Sequence, residues 1–157
     1  MSTGIPKTNY KLLENEFDEI TEIRDGANGL PSKPGAVRKT IVFSDLTKIS
    51  CQEIIKDGFI EYYNYDFYSS TGSIVVKFHS EPHEESKEHQ TSTEPFHLHV
   101  KRDEQDQKAS IRLPNGRIRE LWTIIETILV SKHLKYAHVT SPTVKSKSRK
   151  GRRNGRL

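Results

Sequence analysis

Residues 59–79, FIEYYNYDFYSSTGSIVVKFH, decide the fold. Alternation along the first half puts Phe59, Tyr63, Tyr65 and Phe67 on one face of a strand, and aromatic residues of this kind suit a pleated, half-buried surface. Ser69-Ser70-Thr71-Gly72 supplies turn chemistry, after which Ile74, Val76 and Phe78 resume the period of two. The stretch therefore predicts an antiparallel hairpin. If Ile74, Val76 and Phe78 face a core, then Val75, Lys77 and His79 face the other way.

Downstream, SEPHEESKEHQTSTEP (80–95) is too polar for a core and reads as a loop carrying His83 and His89 among five glutamates. FHLHVK (96–101) is a second alternating strand, with Phe96, Leu98 and Val100 inward and His97, His99 and Lys101 outward. Pairing with the strand that ends at His79 would line three histidines and two lysines, Lys77 and Lys101, along one face. A further strand spans 109–113, and Pro114-Asn115-Gly116 forms a turn. Leu121, Trp122, Ile125, Ile128 and Leu129 then recur at helical spacing, an apolar stripe suited to packing on the sheet. His133 and His138 fall near the expected helix end, where a cation complements the dipole.

Upstream, 41–43 and 49–55 are short β-prone runs, preceded by a Gly/Pro-rich loop over 25–37. Tyr10, Leu13, Phe17 and Ile20 fit a first amphipathic helix, with a strand reading left open. These elements predict an α+β fold: an antiparallel sheet of about four to six strands packed by a C-terminal helix and an N-terminal one. Three segments are expected: an N-terminal segment over 1–37, a histidine-rich domain over 38–140, and a disordered basic tail over 141–157.

With 157 residues, 32% hydrophobic and 29% charged, the chain suits one modest core with loops or tails outside it. No apolar run is long enough to span a bilayer and the first residues lack the apolar stretch of a signal peptide, so the expected location is the cytoplasm. Cys51 is the single cysteine, which excludes an internal disulfide and a multi-thiolate zinc site; it reads as a buried strand residue. P-loop, dinucleotide and zinc-finger spacings do not occur. The net charge of +4 is uneven. Lys145, Lys147, Arg149, Lys150, Arg152, Arg153 and Arg156 carry the tail, leaving 18 basic against 21 acidic residues elsewhere. Such a tail can neutralise phosphates by counterion release, or serve only as a solvated terminus.

The order of motifs resembles the TumE-like proteins, the toxin half of bacterial and archaeal toxin/antitoxin pairs. Members look like a β-rich domain with a Pro-His pair after a hairpin strand, a loop, a Phe-Pro-His-x-His motif, and a helix rich in Leu, Ile and Glu. The counterparts here are Pro82-His83, His97-x-His99 after Glu94-Pro95-Phe96, and the helix expected over 119–132, so the resemblance covers roughly residues 38–132. Ser80-Glu81 stands where the family tends to carry Asp-Asn, Glu84 follows His83 where a second His is usual, and Pro95-Phe96 reverses the family's order. The resemblance implies a toxin with a cognate antitoxin as partner.

Three readings compete for the histidines, five of whose seven lie between 79 and 99. In the first, histidines act as acid and base in metal-free RNA cleavage, because their reference pKa of roughly 6.5 lies near working pH. His79, His83, His97 and His99 form that catalytic set, Lys77 and Lys101 contact phosphate, and no cofactor is needed. In the second, His97-x-His99 with His83 or His79 holds a metal with one open position. In the third, the histidines are exposed strand and loop residues without a shared purpose. The expected function is that of a toxin acting on RNA. The alternative is a non-catalytic nucleic-acid or ribosome binder that uses the basic tail, with Tyr62, Tyr63, Tyr65 and Tyr68 as a stacking platform.

Overall fold

A computed structural model of the chain describes residues 2–82 and 87–140. Among these residues seven strands form one sheet: β1 (Ile20–Asp25), β2 (Ala36–Phe43), β3 (Lys48–Lys56), β4 (Phe59–Tyr68), β5 (Ile74–His79), β6 (His97–Val100) and β7 (Ile111–Pro114). Their order in the sheet is their order in the chain, and every neighbouring pair is antiparallel. Two α-helices complete the α+β fold, α1 (Tyr10–Glu16) and α2 (Leu121–Thr140).

The hairpin forms where the sequence predicts it. Ser69 N–H donates to Ser73 O and Gly72 N–H to Ser69 O, closing the turn at 2.8 and 3.0 Å, with Gly72 at φ +86°, a conformation open to a residue without Cβ. Tyr63, Tyr65 and Phe67 are buried as expected. Phe59 is not: it is 45% exposed while Ile60 is buried, because the register between β3 and β4 slips at Ile54/Ile55 and reverses the alternation before Tyr62.

The sheet is larger than the expected four to six strands because Ile20 begins β1 instead of ending a helix. Asn9 caps α1 by accepting from Leu12 N–H at 3.1 Å, and Phe17 turns extended (φ −109°, ψ 101°), so the helix lasts two turns. Phe17 still reaches the core, packing against Trp122 with ring centroids 4.8 Å apart.

One face of the sheet carries the core. Ile41, Phe43, Ile49, Cys51, Tyr63, Tyr65 and Phe78 lie under Leu121, Ile124, Ile125, Ile128 and Leu129 of α2, with Leu13 from α1. Each buried aliphatic side chain of that stripe stabilises the fold by roughly 1.5–3 kcal/mol. The helix runs eight residues past Lys132, so His133 sits within it and is exposed. The fully buried Glu53 is also on the core face; its Oε1 accepts from Thr8, from Tyr10 OH at 3.0 Å and from Tyr65 OH at 2.6 Å. Burial pushes both phenols well above their ordinary pKa, which keeps them protonated donors.

Candidate functional site

The pairing of β4, β5, β6 and β7 builds the site. Across these strands the register aligns Asn64, His79, His97 and Pro114 in one row, and Asp66, Lys77, His99 and Arg112 in the next. Strand alternation turns these residues away from Tyr65 and Phe78, so they share the face opposite the helices. The strand pairing on which a shared face for His79, His97, His99 and Lys77 depended is observed, and it brings these residues together. Lys101 lies one residue beyond β6. His83 and the tail residues Lys145, Lys147, Arg149, Lys150, Arg152, Arg153 and Arg156 lie outside the described residues.

Three rings form a compact triangle. Centroids are 4.7 Å apart for His79 and His99, 4.9 Å for His97 and His99, and 5.8 Å for His79 and His97. One ring nitrogen from each lies within 4.8 Å of those of the other two. His79 Nε2 is 2.8 Å from Asp66 Oδ1; because a carboxylate accepts, Nε2 carries the proton and the lone pair falls on Nδ1. His97 Nδ1 is 3.0 Å from Pro95 O, which by the same argument puts its lone pair on Nε2. Its ring is also 3.8 Å from Glu94 Oε1.

The exposure of these histidines differs from the expected outward row. His97 is fully buried, while His79 keeps 15% side-chain exposure and His99 is half-buried. Residues 87–95, which include the short 3-10 turn Lys87–His89, make contacts with this face and its surroundings. His89 Nδ1 accepts from Arg112 Nη1 at 2.8 Å, Thr91 N–H donates to Glu94 Oε1 at 3.0 Å, and Asn115 N–H donates to Thr93 Oγ1 at 2.7 Å. Burial, reinforced by neighbouring His79, His97, Arg112 and Lys77, pushes the His99 imidazole down to about 3. It is neutral at pH 7.

Polar atoms without partners gather here. Among the described residues the buried His99 Nε2, Arg112 Nε, Glu94 Oε2 and Asn64 Oδ1 make no hydrogen bond. Sequence reasoning missed Asp66, Arg112 and Asn64, although the hairpin turn fixes Asp66 opposite Lys77. A cavity of about 590 Å³ lies elsewhere, between α2 and the core face at Phe67, Val76, Phe78, Ile128 and Lys132. It is separate from the histidines. The proposed aromatic platform loses its centre, because Tyr63 and Tyr65 are buried and stacked on each other at 4.2 Å.

These features define an α+β protein whose meander sheet carries its hydrophobic core on one face and a histidine cluster on the other. Residues 9–129 match the family model described as toxin TumE, and the chain belongs to that family of toxins. The match begins well before the region of resemblance seen in sequence, taking in α1 and β1. No curated protein and no solved structure matches the chain. Among the described residues no helix is long and apolar enough to cross a membrane.

Proposed function

We propose that this toxin acts on RNA, with His79, His97 and His99 as its reactive centre and a cognate antitoxin protein as its partner. The observation that carries the reading is the company the imidazoles keep: two cations, Lys77 and Arg112, share their sheet face. Phosphodiester cleavage requires a proton to leave the attacking 2'-hydroxyl, a proton to reach the leaving oxygen, and positive charge beside the phosphorane that forms between them. Imidazole serves proton transfer near neutral pH, and fixed cations stabilise the developing charge.

Exposure divides the roles. His79, reachable from solvent and braced by Asp66, is suited to exchanging a proton with a substrate. His99 stays neutral, because burial and the neighbouring cations hold its imidazole well below the ordinary value, so it offers the substrate a hydrogen-bonding ring and proton transfer falls to His79. His97 has no exposed surface and acts through its neighbours. Lys77 and Arg112 contact the scissile phosphate, with Lys101 and the tail cations from Lys145 to Arg156 binding phosphates further along the strand. His83 stays in the proposed set on sequence grounds.

The test is growth of cells expressing the intact protein beside the His97→Ala, His99→Ala double variant, with total RNA examined from both. Arrest with RNA cleavage by the intact protein alone is expected. Arrest without cleavage would replace this reading with nucleic-acid or ribosome binding through the tail. Cleavage by both proteins would remove the histidines from the reaction.

A further inference from the structure

We infer that His79, His97 and His99 form a binding site for one divalent transition-metal ion of the zinc class, with three neutral imidazoles as ligands and one coordination position open. This rests on the RNA-directed reading for the use of the site and revises its roles: with an ion held, the ring lone pairs of His79 and His99 would be ligands and no longer open to substrate, the buried His97 gains a task, and the site is measurable without reference to RNA.

Geometry comes first. Each histidine offers one ring nitrogen within 4.8 Å of the other two. A tetrahedral zinc ion with Zn–N of about 2.0–2.1 Å holds its ligand atoms roughly 3.3 Å apart. Closing the triangle therefore needs side-chain movements of about 1.5 Å or less, without displacing strands that are already paired at His79 and His97.

The hydrogen-bond pattern around the rings is that of metal ligands. A ligating histidine commonly donates its second ring N–H to a carboxylate or a backbone carbonyl, which fixes the tautomer and aims the lone pair. Asp66 does this for His79 and the Pro95 carbonyl does it for His97. His99 contributes a buried ring nitrogen with no partner among the described residues. Glu94 Oε2 and Asn64 Oδ1, unpartnered in the same place, are available to outer ligands such as a bound water. Buried polar groups are nearly always satisfied, so a cluster of exceptions calls for a ligand, water or ion.

The donor chemistry selects the ion. Imidazole nitrogens favour zinc, copper, nickel or iron over magnesium and calcium, which take oxygen ligands. The single thiol, Cys51, lies in the core on the opposite face and does not join the set. Three protein ligands with an open fourth position is the pattern of sites that bind a water or a substrate oxygen. Lys77 and Arg112 nearby disfavour a cation, but Asp66 and Glu94 offset them. The positive charge left with the ion suits an anionic fourth ligand such as a phosphoryl oxygen.

The experiment is equilibrium dialysis of zinc against untagged, chelator-treated full-length protein, with His79→Gln and His99→Gln alongside and magnesium as the comparison ion. The expected result is about one zinc per chain in the intact protein, at least tenfold weaker binding in each variant, and no magnesium retained. Should a variant fail to fold, thermal melting of the intact protein decides: zinc but not magnesium should raise its Tm, because a ligand of the native state stabilises it by mass action. Less than about a tenth of an equivalent bound, no shift in Tm, or equal binding by both folded variants would overturn the site. Stoichiometric zinc in a protein that neither arrests growth nor cleaves RNA would uphold the site and remove the RNA reading. Arrest with cleavage by protein that binds no zinc would do the reverse.

Discussion

On the helix-bearing face of the sheet, the Glu53 carboxyl group is fully buried and three hydroxyls, from Thr8, Tyr10 and Tyr65, converge on its Oε1. On the opposite face His97 is equally buried, and among the described residues four polar atoms around it have no partner, where the helix-bearing face leaves two, Glu53 Oε2 and Tyr63 OH. Both faces bury polar groups, which is costly unless hydrogen bonds compensate. The Glu53 cluster is largely compensated and ties the segment before α1 to β3. The histidine face is compensated only in part, by Asp66 at His79, the Pro95 carbonyl at His97 and His89 at Arg112, and it also gathers Lys77 and Arg112 against His99. Local conflicts of this kind are expected where a surface is shaped for a ligand in place of the fold's own stability.

That contrast can be broken by substitution, starting with the largest effect. Glu53→Ala leaves the buried Tyr65 phenol and the half-buried Tyr10 and Thr8 hydroxyls without their acceptor and should cost roughly 3–5 kcal/mol, read by chemical denaturation. A loss below about 1 kcal/mol would show that the cluster contributes no more than an ordinary hydrogen bond. Tyr65→Phe removes one donor of the three and should cost about 1 kcal/mol. His99→Leu should behave in the opposite way on the other face: metal-free protein should lose less than about 1 kcal/mol or gain stability, because the side chain removed is a buried imidazole with an unmet nitrogen. Deleting residues 143–157 should change stability by less than about 0.5 kcal/mol. It should, however, flatten the dependence of log affinity for single-stranded RNA on log salt by up to about 5, the contribution of seven phosphate contacts. An unchanged slope would mean that the tail does not touch RNA.

Much of the fold is legible because its elements alternate cleanly. The β4–β5 hairpin from Tyr63 onward, β6 and the stripe of α2 carry periods close to two or 3.6, and the residues predicted to face inward there are largely those that do. The failures have local causes. Tyr10, Leu13, Phe17 and Ile20 keep helical spacing across a real helix end, so nothing in the pattern marks where α1 stops and β1 starts. Phe59 and Ile60 exchange faces because β4 carries one extra residue, Glu61, opposite the Ile54/Ile55 step of β3, and the apolar pattern does not mark that bulge. The histidine face was readable as a face, since alternation assigns His79, His97 and His99 to it. Its burial was not: residues 87–95 make contacts with Arg112 and Asn115 from 20 or more residues away, which alternation does not encode.

The central claim is that the histidine face acts and the helix-bearing face supports it. Expression of His99→Leu at the level of the intact toxin, with growth and melting temperature measured on the same variant, tests this most directly. This variant should melt close to or above the intact protein in the absence of metal and should no longer arrest growth. A variant equally stable and equally toxic would contradict it.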